Sequence, residues 1–239
     1  MENFIDTPIN QTTSKQQVKE FFTAVYTYMF IALVVSGSIS WYIASSGLFM
    51  EWFYNAETGS ISPLFYVVAF SPLGLVLLIQ AKYKSFSLGA LVGLFVLYSA
   101  LIGASLASIF MVYSMGDIAI TFFVTAGAFG AMAILGFTTS VDLSKMGSLL
   151  YMAFIGIFIA AIVNMFMDSE WLAYLISIVG VFVFTGLTAW EMQRLKAIAT
   201  DTSVSDEDKQ KASLMGGLTL YILFINLFMS LLYLLGGRD

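Results

Sequence analysis

"TAGAFGAMAILGFTTSVDLSKMGSLLYMAFIGIFIAAIVNMF", Thr125 to Phe166, holds parts of two long apolar runs separated by a short polar break. A bilayer hydrocarbon core about 30 Å thick needs roughly 20 helical residues to cross it. The two runs, Ile118 to Thr138 and Met146 to Met167, each reach that length. Neither alternates in polarity over segments of about 10 residues, as strands of a membrane barrel do. The stretch therefore reads as two membrane-spanning helices joined by a tight polar turn.

The same pattern recurs on both sides, at Phe21 to Ser45, Ile61 to Ala81, Leu88 to Met111, Trp171 to Leu195 and Ala212 to Leu235. Seven runs predict an all-α integral membrane protein, a seven-transmembrane-helix bundle. Composition agrees: 59% of the residues are hydrophobic and 10% charged, against about a quarter charged in a soluble domain. One membrane domain is expected over residues 21–239, behind a polar N-terminal tail of residues 1–20. That tail lacks the basic-then-apolar order of a secretory signal peptide, so the first run is expected to be kept as a helix. Segment 197–211 is the only long polar insert. Within it Ser205 can cap a helix whose first turn carries Asp206, Glu207 and Asp208.

Orientation follows from the cations. With the N-terminus inside, the inner side receives Lys15, Lys19, Lys82, Lys84, Lys145, Arg194, Lys196, Lys209 and Lys211, and the outer side only Arg238. Short cytosolic loops retain positive charge, so a cytosolic N-terminus and an outer C-terminus are expected. The outer loops carry Glu51, Glu57, Asp117, Asp168 and Glu170, an acidic fringe that would concentrate cations. Close-approach pairs of small residues, Gly89 with Gly93, Ala126 with Gly130 and Gly156 with Ala160, place the fourth and fifth spans at tight helix contacts. On that reading Gly130→Leu should cost stability.

The chain contains no histidine and no cysteine. That removes disulfides, thiolate nucleophiles, the commonest general base and the commonest metal ligand. No span interior holds an aspartate, and the last span has no lysine for a Schiff base. No catalytic residue is assigned; the protein is not expected to be an enzyme or to carry a cofactor. Polar groups inside the spans include Gln80, Asn164, Asn226 and Glu191. An ionisable group at membrane depth usually faces the bundle interior or a water-filled cavity. Glu191 could instead meet headgroup water and pair with Arg194, three residues on.

Several motifs now combine: Gly136 to Thr139, then Asp142 to Gly147, then Asn164; Trp190, Glu191 and Gln193 in the sixth span; and Leu220 to Phe228, which contains Tyr221 and Asn226, in the seventh. Together they resemble the Bax inhibitor family, the transmembrane Bax inhibitor motif proteins, in their bacterial YccA and YbhL-like branch. The resemblance implies a seven-helix bundle with a central helix, in a bacterial plasma (inner) membrane. It further implies a passive, pH-modulated cation leak selective for calcium, gated by acidic residues on the sixth and seventh helices. Glu191 matches the first acid. The second acid's position holds Leu223. Glu191, Asn226 and Asn164 are the candidate ion-pathway residues, and Asp142, Trp190, Gln193 and Tyr221 the family-motif residues. Glu191 is also the candidate for a weak, transient calcium site. Expected partners are the lipid bilayer and cations, with no nucleic acid. The alternative is a non-conducting regulator that binds another membrane machine such as a protease. Glu191 is expected to face the contact between the last two helices, level with Gly216 and Gly217.

Overall fold

The computed structural model describes residues 8–55 and 59–237, with side chains from residue 15 onward. Its elements are α1 (Pro8–Ser45), α2 (Leu48–Phe53), β1 (Tyr54–Asn55), β2 (Ser60–Ile61), α3 (Pro63–Lys82), α4 (Leu88–Leu106) with a 3-10 turn (Ala107–Met111), α5 (Met115–Thr138), α6 (Ser144–Met167), α7 (Glu170–Thr200) and α8 (Asp206–Leu235). Among the described residues, seven helices are long and apolar enough to cross a membrane, one for each run. The α2 turn and the β1–β2 ribbon were not foreseen. They fold over one end of the bundle, where Phe49, Phe53 and Phe65 pack edge to face.

Two of the polar break points are built by local chemistry. The Ser205 hydroxyl accepts the Asp208 N–H (3.2 Å), and Glu207 pairs with Lys211 (3.0 Å), so α8 starts well before its apolar run. Since α7 runs on to Thr200, the insert between the last two spans narrows to residues 201–205. At the α5–α6 turn the Asp142 carboxylate accepts the Ser144 N–H (2.9 Å).

α8 occupies the centre. It packs on α1, α4, α5 and α7, and most of its residues from Lys211 to Leu232 are buried. α5 buries a single stripe, Thr121, Thr125, Phe129, Ala133 and Gly136, at the spacing of one helix face. Two of the buried hydroxyls are satisfied within their own helices: Thr125 donates to the Thr121 carbonyl (2.7 Å) and Thr188 to that of Phe184 (2.7 Å). Such back-bonds remove the cost of a hydroxyl in an apolar interior.

The expected packing of the fourth and fifth spans is corrected by the structure. α6 lies at the periphery against α7, and Gly147 is its only buried residue. A Cβ added at Gly89, Gly93, Gly130 or Gly156 would touch nothing, and Ala126 is exposed. The glycines that meet neighbouring helices are others: Gly103 against the Ser36 backbone, Gly136 against Ala189, Gly147 against the Trp190 ring, Gly216 against Leu195 and Gly217 against α1. A small-residue spacing permits close approach; which face of the helix meets protein decides whether it is used.

The helix ends carrying Lys15, Lys19, Lys82, Lys84, Lys145, Arg194, Lys196, Lys209 and Lys211 gather at one end of the bundle. There Lys211 Nζ donates to the Lys84 carbonyl (3.4 Å) and the Phe22 and Phe137 rings meet at 5.1 Å. Glu51, Asp117, Asp168 and Glu170 gather at the other, where the Tyr233 hydroxyl donates to the Glu170 carbonyl (3.3 Å). Arg238 and Glu57, which belong to the same charge pattern, lie outside the described residues.

Candidate functional site

Glu191 sits on α7 about two and a half turns before its cation-rich end, with only 1% of its side chain exposed. Both carboxylate oxygens are engaged. Arg194 Nε donates to Oε2 (2.8 Å) and its second nitrogen donates to Oε1 (2.5 Å), a two-pronged pair at i,i+3. Charge-assisted forked pairs of this kind are the strong ones. Arg194 is itself 43% exposed, and its guanidinium lies 5.8 Å from the centre of the Trp190 ring. The expected pairing with Arg194 is thus made, with the carboxylate buried rather than at headgroup water and the arginine reaching it from the rim.

The level of the carboxylate differs from the expectation. Leu195, not Glu191, meets Gly216, and Gly217 is filled by Val25 and Tyr28 of α1. α7 and α8 run antiparallel, so Glu191 lies one turn farther from the cation-rich end than those glycines. Interpolating between the Gly216–Leu195 and Gly180–Ser230 contacts puts Leu220 level with Glu191. The same register puts Leu223 opposite the turn at Leu187 and Thr188, about 5 Å along the axis from Glu191. Leu223 is buried, as an acid there would be.

The motif residues form a clamp around the next turn of α7. Gln193 Oε1 accepts the Leu143 N–H (2.8 Å) and its Nε2 donates to the Val141 carbonyl (2.7 Å). Lys196 Nζ donates to the Phe137 carbonyl (2.8 Å) and lies 5.0 Å from the centre of that ring. Trp190 stands edge-on to Tyr151 at 5.4 Å, against the bare face of Gly147. The two glycines of the motif are therefore the places where α5 backbone meets α7 backbone and where an indole ring meets α6. The sequence pointed to Gln193 and Trp190 only through resemblance, and it missed Lys196, whose ammonium replaces a lost helix-end donor at the Phe137 carbonyl.

Of the remaining candidates, Asp142 is exposed and holds the start of α6. The hydroxyl and N–H of Ser144 hold its carboxyl below the ordinary carboxylate range. Asn164 accepts the Ser169 N–H (3.1 Å) at the far end of α6, and Asn226 donates to the Ile222 carbonyl of its own helix (2.8 Å). The structure does not bring either asparagine to Glu191. Tyr221 is fully buried beneath the Phe95 and Tyr98 rings. Its hydroxyl lies beside Ser36 without a well-formed hydrogen bond, the Ser36 hydroxyl being turned to the Leu33 carbonyl (3.3 Å). A cavity of about 110 Å³ opens beyond, lined by Ser36, Ser40, Ile109 and Phe224. Among the described residues no group of three acids converges as a metal cage would require.

Six membrane-crossing helices around a seventh, α8, with a buried carboxylate near one end, define a multi-pass membrane protein. Residues 18–239 match the family model described as "Inhibitor of apoptosis-promoting Bax1", and the chain belongs to that family. It is 41% identical to the inner membrane protein YbhL of Escherichia coli over 222 residues, 92% of this chain and 93% of that one. It is also 40% identical to a protein of Borreliella burgdorferi over 233 residues, 96% and 98% of the two chains. A protein of Rickettsia prowazekii is 36% identical over 232 residues, 95% of each. Kinship and the seven spans place the chain in the bacterial inner membrane, as a multi-pass protein.

Proposed function

We propose that the chain is a passive cation leak, with calcium as the favoured ion, whose cation-rich end faces the cytosol and which performs no catalytic step. The observation that carries this reading is Glu191, a carboxylate 1% exposed within a membrane bundle and neutralised by one arginine that reaches solvent. Ionisable groups at this depth are expensive and mark pathways. In the conformation described, Arg194 occupies both carboxylate oxygens. Conduction requires the guanidinium to swing away, and its partial exposure gives it somewhere to go. Calcium takes six to eight oxygen ligands, so a single carboxylate with nearby carbonyls makes a transient site suited to passage. Toward the other end, the hydroxyls of Tyr221 and Ser40 are the buried side-chain polar atoms left without a partner among the described residues. On this reading they mark the way toward the acidic end. With Leu223 in the second acid's place, the pH response is that of one carboxyl, since splitting between two sites needs two like charges in contact.

The test is calcium entry into proteoliposomes holding an internal calcium dye, for the parent, Glu191→Gln and Leu223→Asp. Entry above protein-free vesicles, lost in Glu191→Gln and steeper in pH for Leu223→Asp, supports the leak. No entry in the parent, with a specific membrane-protein partner recovered on crosslinking, favours the non-conducting regulator. A leak unchanged in Glu191→Gln removes the carboxylate from the pathway.

A further inference from the structure

We propose that the groove between α1 and α5 at the cation-rich end is a binding site for one anionic phospholipid, its phosphate on Lys15 and Lys19 and an acyl chain against Phe22, Ile134 and Met192. The groove encloses about 650 Å³, within the roughly 300–1,000 Å³ of small-molecule sites. α1 and α5 meet at the Phe22 and Phe137 rings, while α7 supplies Met192 and Thr200 to the lining. Its side is open to the bilayer: Ile134 is 67% exposed.

Three features select this occupant. The first is length. From Lys15 at the mouth to Tyr26 at the inner end is 11 helical residues, about 16 Å, which matches half of a hydrocarbon core of about 30 Å. A chain lying there spans one leaflet with its headgroup at the lysines. The second is polarity, which changes from two lysines with Thr138 and Thr200 at the mouth, past Thr23, to apolar walls and a Tyr26–Met192 contact (3.6 Å) at the inner end. The third is sign. No aspartate or glutamate lines this groove; Lys15 and Lys19 also border a neighbouring hollow, where Glu20 is the one acid, and a third hollow holds Glu20 and Asp206. Among the described residues neither Lys15 nor Lys19 is paired with a carboxylate. Basic pockets between spans on the cytosolic side recognise anionic headgroups. The site does not depend on whether the protein conducts.

The experiment is native mass spectrometry of the detergent-purified protein, titrated in parallel with phosphatidylglycerol and with phosphatidylcholine of the same acyl chains. One phosphatidylglycerol should be retained in preference to phosphatidylcholine. Lys15→Gln and Lys19→Gln should each weaken it by about fivefold without changing phosphatidylcholine retention. Lys82→Gln with Lys84→Gln, at the same end but outside the groove, should leave it unchanged. Ile134→Trp, which fills the open side, should lower retention while the melting temperature holds. Equal retention of the two lipids, or an equal loss in the Lys82 and Lys84 double variant, would overturn the proposal.

Discussion

Gly136→Ala adds one methyl group at the last turn of α5, where an ideal Cβ would overlap the Ala189 carbonyl oxygen of α7. Both partners are backbone, so no rotamer change relieves the overlap and the helices must separate locally. The bonds nearest the contact are Lys196 to the Phe137 carbonyl and Gln193 to the Val141 carbonyl and Leu143 N–H, and separation stretches all three. Overpacking of this kind costs about 1–3 kcal/mol. Replacing glycine by alanine within a helix returns about 0.5–1 kcal/mol of backbone entropy and propensity. The strained bonds offset that return, which leaves a net loss of about 1–3 kcal/mol. For a chain of this size each kcal/mol moves the midpoint by about 2–4 °C, so the variant should melt roughly 2–12 °C below the parent. Gly130→Ala is the matched control, since it lies on the same helix with nothing within 4 Å of the added Cβ. It keeps only the propensity gain and should melt at or slightly above the parent. Thermal melts followed by fluorescence-detected size exclusion in one detergent compare them directly. If both variants shift by the same amount in the same direction, the α5–α7 backbone contact at Ala189 is not formed as described.

Arg194→Gln strands a carboxylate that is 1% exposed. Breaking a fully buried pair costs about 3–5 kcal/mol, and the 43% exposure of the arginine discounts this to about 1–3 kcal/mol; Glu191→Gln should cost less, and the double variant should recover part of the loss in a melting cycle. Gln193→Ala leaves the Leu143 N–H and Val141 carbonyl without their partner, at about 1–3 kcal/mol, and should speed proteolysis within residues 139–143; equal cleavage would show that the turn holds itself. The Asp142 carboxyl is held below its ordinary range by Ser144. Its contribution to the start of α6 is therefore present above the ordinary carboxylate range and lost as pH falls through the lowered value. Hydrogen exchange at Ser144, corrected for intrinsic rate, should rise on acidification in the parent and become pH-independent in Asp142→Asn.

Seven spans were legible because hydrophobic length is a property of each segment alone, and the structure has a helix for each run. Which residues those helices bury was less legible. In a soluble protein the apolar stripe marks the packed face, but lipid is as apolar as protein, so α6 can be hydrophobic all round while burying only Gly147. The spacing of Gly130 and Gly156 carried no information about direction, and both face away from neighbouring helices. Gly136 and Gly147 meet partners because Gln193, Lys196 and Trp190 tie the turn between them onto α7. That knowledge lay in a pairing 40 to 60 residues distant in sequence. The Glu191–Arg194 pair was legible from its i,i+3 spacing, whereas the depth of the carboxylate needed the antiparallel register of α7 and α8.

That register also limits how the bundle can open. α8 packs on α7 at Gly180–Ser230 and Gly216–Leu195, where side chains fill the space a methyl group would need, and on α1 at Gly217, where the Val25 carbonyl does. Sliding or parting these helices would break these contacts together, and the α5–α6 turn would have to follow α7 because Gln193 and Lys196 hold it there. Side chains can move where helices cannot. Arg194 is partly exposed, so breaking its two hydrogen bonds to Glu191 and rotating about its own bonds would uncover the carboxylate without moving α7. Beyond it, Leu223 and the Tyr221 ring are buried at the levels where α7 and α8 face each other. In the leak proposed above, passage would be controlled by rotamers along one face of α8, with buried Leu223 an apolar constriction where the family resemblance implies an acid.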